Sequence, residues 1–141
     1  MESDQKKTAL FLVSACLVGL ATRYDGQIKR NEACLQFLEG KIWLPVCPEQ
    51  LGGLATPRSA ADMVGGDGND VLDGRARVVT RDGMDVSLPF IAGAQQVLAI
   101  ARQQRVDGVC LKAGSPSCAV HGQQGVTAAL LARHGFCLYQ F

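Results

Sequence analysis

Short apolar runs alternate with helix-patterned stretches along this chain, and that alternation limits its fold more than any other feature. Residues 8–15 form an apolar run ending in small residues and read as a buried strand. Asn31 suits the N-cap of a helix over 32–39, with Gly40 as its stop. Residues 41–46 read as a second strand, in which Pro45 implies a bulge or a sheet edge. Residues 52–74 read as a loop-rich centre, and 75–80 as an edge strand before a turn at Asp82-Gly83. A helix is expected over 86–104, with Phe90, Val97, Leu98 and Ala101 at core spacing. A third core strand follows over 107–112, then a helix over 125–134 stopped by Gly135, then a final strand over 136–141. This order predicts a single-domain α/β fold over 1–141: a Rossmann-like, mainly parallel sheet flanked by helices, with its active site at the C-terminal ends of the strands.

The charge balance excludes some functions. Lys+Arg is 14 and Asp+Glu is 13, for a net charge of +1. No single-sign field argues for a nucleic-acid polymer or an anionic membrane, and the aromatics are too scattered for a base-stacking platform. The first seven residues are polar, and the apolar run that follows is too short for a secretory signal. A cytoplasmic protein is expected.

In that setting six cysteines argue for metal binding, catalysis or plain burial rather than disulfides. Cys110 and Cys137 lie inside apolar runs and Cys34 lies mid-helix, so core packing is expected for all three. Cys16, Cys47 and Cys118 differ. Each sits in a loop directly after an expected strand, among Gly, Pro, Ser or charged residues. In a parallel sheet those loops share one edge, so the fold itself brings the three cysteines together. Three thiolates suit zinc with an open fourth position, or an iron–sulfur cluster with one iron free of protein. Buried or redox-active thiols are the alternatives.

Glu49, two residues after Cys47, is placed to share that pocket as a general acid–base group; a helix N-terminal charge behind Pro48 is the simpler reading. Ser115 and Ser117 flank Pro116 ahead of Cys118, as donors to a substrate or as turn formers. Arg23, Tyr24 and Asp25 suit an anion or a polar ring, or else an ordinary salt-bridged turn. Gly65-Gly-Asp-Gly68 lacks the context of a phosphate loop and reads as a plain turn. Asp67, Asn69, Asp70 and Asp73 do not fit calcium-loop spacing. His121 and His134 show no ligand pattern and read as structural or surface groups.

Taken together, the motifs are specific. Ser14-Ala-Cys-Leu-Val-Gly19 with Arg23-Tyr-Asp-Gly26, Val46-Cys-Pro-Glu-Gln50 with Gly52-Gly53-Leu54 and Thr56-Pro-Arg58, and Leu111-Lys112 with Ser115-Pro-Ser-Cys118 resemble the thiouracil desulfurase family, in order and over essentially the whole chain. The resemblance implies a 4Fe–4S cluster on Cys16, Cys47 and Cys118. It implies non-redox, hydrolytic desulfuration of 4-thiouracil or a related thiolated base, the substrate's sulfur binding the unique iron and leaving as sulfide. It implies proton transfer by Glu49, and substrate orientation or protonation by Ser115 or, second, Ser117. A small thiolated base and cluster-assembly machinery are then the partners. The chain departs from the family pattern at Ala119 after the last cysteine, in the short segment 120–124, and in having only Asp62 as the acid after Arg58. These departures touch loops that shape a pocket, not the three cysteines. Two other readings stand beside the enzyme: a non-catalytic module holding a metal or cluster, and a metal-free thiol redox protein.

Overall fold

The computed structural model describes residues 7–141. The polar N-terminal segment that suggests a cytoplasmic location therefore lies, apart from Lys7, outside the described residues. Four strands form the main sheet in the order β2-β1-β5-β6: β1 (Leu10–Ser14), β2 (Ile42–Val46), β5 (Gly108–Leu111) and β6 (Leu138–Gln140). Every pairing in it is parallel. The fold is the expected mixed α/β architecture.

The central strands explain themselves by period. Successive side chains of a strand point to opposite faces. Leu12, Val109 and Leu111 pack on one face with Val97, Leu98 and Ala101 of α4 (Ser87–Gln104) and Leu131 of α5 (Val126–Arg133). Phe11, Val13 and Cys110 pack on the other face with Cys34 and Leu38 of α1 (Glu32–Leu38). Both faces are covered, so β1 and β5 need continuous apolar runs. Pro45 lies in β2, which pairs with β1 alone. An edge strand tolerates the missing N–H. The Asn31 side chain accepts from the Cys34 N–H at 2.9 Å and starts α1 as expected.

The centre of the chain is more ordered than its composition suggests. It holds β3 (Ala61–Val64) and α3 (Gly68–Leu72). The expected edge strand is β4 (Arg77–Thr80), but it pairs antiparallel with β3 in a separate two-stranded sheet rather than with the main one. Gly65-Gly-Asp-Gly68 is not a plain turn: Asp67 caps α3 in a reciprocal box with Asp70. These units pack through Val71, Val78 and Phe90. Cys137 also departs from expectation. It is exposed, because it precedes the short edge strand β6 instead of lying in the core, whereas Cys34 and Cys110 are fully buried. His121 and His134 are at the surface, the latter 2.6 Å from Arg102. Among the described residues no helix is long and apolar enough to cross a membrane.

One helix contact matters for the site. The short helix α2 (Pro48–Leu51) follows Cys47 and lies backbone-to-backbone on α4. A Cβ at Gly93 would strike the Pro48 carbonyl, and one at Gly52 would strike the Pro89 carbonyl. Gly93→Ala gains up to about 1 kcal/mol of helix propensity but costs about 1–3 kcal/mol of overpacking. The clash is with backbone on both sides, so overpacking wins. We expect the melting temperature to fall by several degrees in a thermal denaturation scan.

Candidate functional site

Three strand ends meet at one edge of the main sheet. Cys16 lies in the 3₁₀ turn Ala15–Val18 directly after β1. Cys47 follows β2 and caps α2. Cys118 lies in the loop between β5 and α5, 4% exposed. The start of α5 fixes that loop: Val126 donates to the Pro116 carbonyl at 2.9 Å and Thr127 to the Ser117 carbonyl at 2.8 Å. Gly125 is required there, since a Cβ would meet the Ser117 backbone.

Cys16 and Cys118 are both shifted by their surroundings. Burial pushes Cys118 up to about 12, Cys16, Glu49 and Cys47 add to the rise, and a hydrogen bond with Ser14 opposes it. Burial also raises Cys16, and Cys47 raises it further, while Lys112 and Arg23 pull it down. Cys16 and Cys47 stand on the wall of a cavity of about 340 Å³, within the roughly 300–1,000 Å³ typical of small-molecule sites. Glu49, Ser115, Arg23, Tyr24 and Lys112 share that wall, and Asp62 and Arg81 reach it from the β3–β4 hairpin.

The carboxylate is held from both sides. Arg58 Nε donates to Glu49 Oε1 at 2.8 Å, and Ser117 Oγ donates to Glu49 Oε2 at 3.0 Å. The Arg58 and Glu49 side chains are 10% and 16% exposed, so the pair is well shielded from water. Arg58 also donates to Thr56 Oγ1 at 2.7 Å and to the Thr22 carbonyl at 2.9 Å. The Cys47 thiol reaches that same carbonyl at 3.9 Å. Arg58 thus ties the carboxylate to the loop beyond Cys16.

The two serines divide their work. Ser115 Oγ accepts from the N–H groups of Ser117 and Cys118, both at 3.1 Å. Its hydrogen stays free to donate into the cavity it lines. Ser117 is buried and spends its hydrogen on Glu49. Arg23 and Tyr24 line the cavity, whereas Asp25 does not. Asp25 turns back to Arg23 at 3.4 Å and to the Gln27 N–H at 3.0 Å. Arg58 and Lys112 are the site residues that spacing does not single out. Their signal is weak: one basic residue beside Pro57 and one at a strand end.

Against known proteins, residues 11–140 match the model of the 2-thiouracil desulfurase family.

The chain belongs to the 2-thiouracil desulfurase family.

Among its relatives is the uncharacterised protein YbbK of Bacillus subtilis strain 168, 40% identical over 139 residues, 90% of this chain and 92% of that one. Among solved structures, this desulfurase-family chain is similar to the 4Fe–4S-dependent thiouracil desulfidase TudS. The two are 37% identical, with a TM-score of 0.77 over 95% of this chain and 91% of the other.

Among the described residues no three His, Cys, Asp or Glu side chains form a ready site for a metal ion. A zinc ion draws thiolates to about 2.3 Å from one point. Here Cys16 and Cys47 stand on the wall of a cavity of small-molecule size, and Cys118 is buried in the loop beyond β5. Soft thiolate donors are also the ones iron–sulfur clusters take. The chemistry of three thiols therefore fits an iron–sulfur cluster.

Proposed function

We propose that this chain hydrolyses a thiolated pyrimidine, 4-thiouracil or a related thiolated base, to the oxo form with release of sulfide, using a 4Fe–4S cluster held by Cys16, Cys47 and Cys118. The observation that carries the proposal is one juxtaposition: two thiols, Cys16 and Cys47, and a carboxylate held by Arg58 and Ser117 on one cavity, with the Cys118 thiol buried in the loop that carries Ser115 and Ser117. When bound, the cluster supplies an iron without a protein ligand, a Lewis acid and a soft site for thiocarbonyl sulfur.

The chain's own groups account for the rest. Overall, water adds its oxygen to the ring carbon and sulfur departs as sulfide, so no net electrons are exchanged. Glu49 takes a proton from the attacking water, and Arg58 and Ser117 fix the direction of its carboxylate. Ser115, with its hydrogen free, orients the substrate or protonates it. Arg23 and Tyr24 meet the ring or its substituents from the wall. Asp25 holds Arg23 in place. The reading carries with it a single catalytic domain over 1–141, a cytoplasmic location, and dependence on cluster-assembly machinery.

Anaerobic reconstitution tests it. The expected product is a brown protein with about four irons and four sulfides per chain, which releases sulfide from 4-thiouracil. A colourless protein with all six thiols free after the same treatment would remove the proposal.

A further inference from the structure

Arg23 and Tyr24 belong to a short turn with few ties of its own. The Arg23 guanidinium lies 5.9 Å from the centre of the Tyr24 ring, and both side chains line the cavity. Within residues 22–26 the hydrogen bonds are mostly local. The Thr22 N–H donates to the Leu20 carbonyl and the Gly26 N–H to the Arg23 carbonyl, both at 2.8 Å, and Arg23 Nε donates to Asp25 Oδ1 at 3.4 Å. Such bonds shape a turn but do not seat it on the rest of the molecule.

Arg58 supplies the seat. Its backbone N–H donates to the Tyr24 carbonyl at 2.8 Å, and its Nη2 donates to the Thr22 carbonyl at 2.9 Å. The two bonds bracket Arg23. Apart from the Cys47 thiol, 3.9 Å from the Thr22 carbonyl, they are the hydrogen bonds among the described residues that join 22–26 to anything beyond residue 27. The rest of the guanidinium is fixed as well. Nε donates to Glu49 Oε1 at 2.8 Å, and Nη1 to Thr56 Oγ1 at 2.7 Å and the Ala55 carbonyl at 3.3 Å. Thr56 Oγ1 also accepts from Gln50 Nε2 at 2.8 Å, and Gln50 lies on α2 with Glu49. A rigid, planar fork of five N–H donors serves these partners together; a single ammonium does not.

From this geometry we propose that Arg58 is a positioning residue for substrate binding: it latches the turn 22–24 to the Glu49 carboxylate, so that the surface meeting the ring and the group moving the proton keep one spacing. The inference rests on the proposed function, which gives the ring to Arg23 and Tyr24 and the proton to Glu49. It adds a role that holding Glu49 does not include, because a loose turn weakens binding even where the carboxylate stays in place.

The test is Arg58→Lys, reconstituted anaerobically. Lysine keeps a positive charge beside Glu49 but gives up the second prong to the Thr22 carbonyl. Two measurements read it. Hydrogen–deuterium exchange over residues 20–26 is expected to quicken roughly tenfold, the worth of one hydrogen bond from a charged donor, while peptides of the main sheet keep their wild-type rates. KM for 4-thiouracil is expected to rise by a similar factor, roughly tenfold, and by more than kcat falls. Glu49→Gln, whose carbonyl oxygen still accepts from Arg58, shows the opposite pattern: kcat falls and the turn exchanges as in wild type. If the lysine variant does not fold, Arg58→Met in the Glu49→Gln background removes both charges of the buried pair together and is compared with Glu49→Gln alone by the same two measurements. A turn that exchanges at the reference rate, a quickening shared equally by the main sheet, or a quickened turn with unchanged KM overturns the role of Arg58 and leaves the proposed function standing. A loaded wild type that releases no sulfide from 4-thiouracil overturns both.

Discussion

Cys118→Ala is expected to give a folded chain that retains no intact cluster and releases no measurable sulfide. The side chain is small, so the cavity left behind costs only on the order of 1 kcal/mol. The chemical cost is much larger. Two thiolates remain on the cavity wall, but the third corner of the cluster has no protein donor. A metal acting as a Lewis acid contributes several kcal/mol to the transition state. At about 1.4 kcal/mol per factor of ten, its loss lowers the rate by about 10³-fold or more. Cys16→Ala and Cys47→Ala are expected to behave alike. Cys137→Ala serves as the control: its thiol is exposed and outside the site, so iron content and sulfide release should match wild type. Iron and acid-labile sulfide counts, with a sulfide-release assay on 4-thiouracil, read all four variants. Full iron in Cys118→Ala would remove it from the ligand set.

Glu49→Gln separates an enzyme from a module that merely holds a cluster. Glutamine keeps the shape, and its carbonyl oxygen still accepts from Arg58. Its amide nitrogen faces Ser117, whose hydroxyl can turn to accept. The fold and the three cysteines are therefore left alone, while the proton acceptor is gone. Turnover should fall by about 10²–10⁴-fold, the usual worth of a positioned acid–base group, with iron content unchanged. Sulfide release at the wild-type rate by a fully loaded Glu49→Gln would deny Glu49 its role.

How much of this was legible beforehand follows from element length. β1, β5, α1, α4 and α5 carry clear periodicity or an identifiable cap, and their positions match expectation to within a few residues. β3 and α3 are too short to show a period. They hold through partners distant in sequence: β3 through β4, and α3 through the Asp67–Asp70 box and the approach of Gly68 to the Gly125 carbonyl. Cys137 misleads because its apolar neighbours lie at the edge of the sheet, where flanking residues do not guarantee burial. The meeting of Cys16, Cys47 and Cys118 was legible because it needs only strand order and direction. The hold on Glu49 was not, because Arg58 and Ser117 reach it from loops whose paths no local pattern encodes.

The placement of the three cysteines also orders events in time. A small zinc finger gathers ligands from neighbouring residues, so metal and fold arrive together. Here Cys118 lies far along the chain from Cys16 and Cys47, and the three strand ends meet only when β1 lies between β2 and β5. With Cys16, Cys47 and Cys118 as the proposed ligands, a chain without that strand order would offer iron no chelating set. On that proposed ligand set, folding would precede loading. Iron and sulfide would then be handed to a finished surface, and the mouth of the cavity would serve as a loading port before it admits a base.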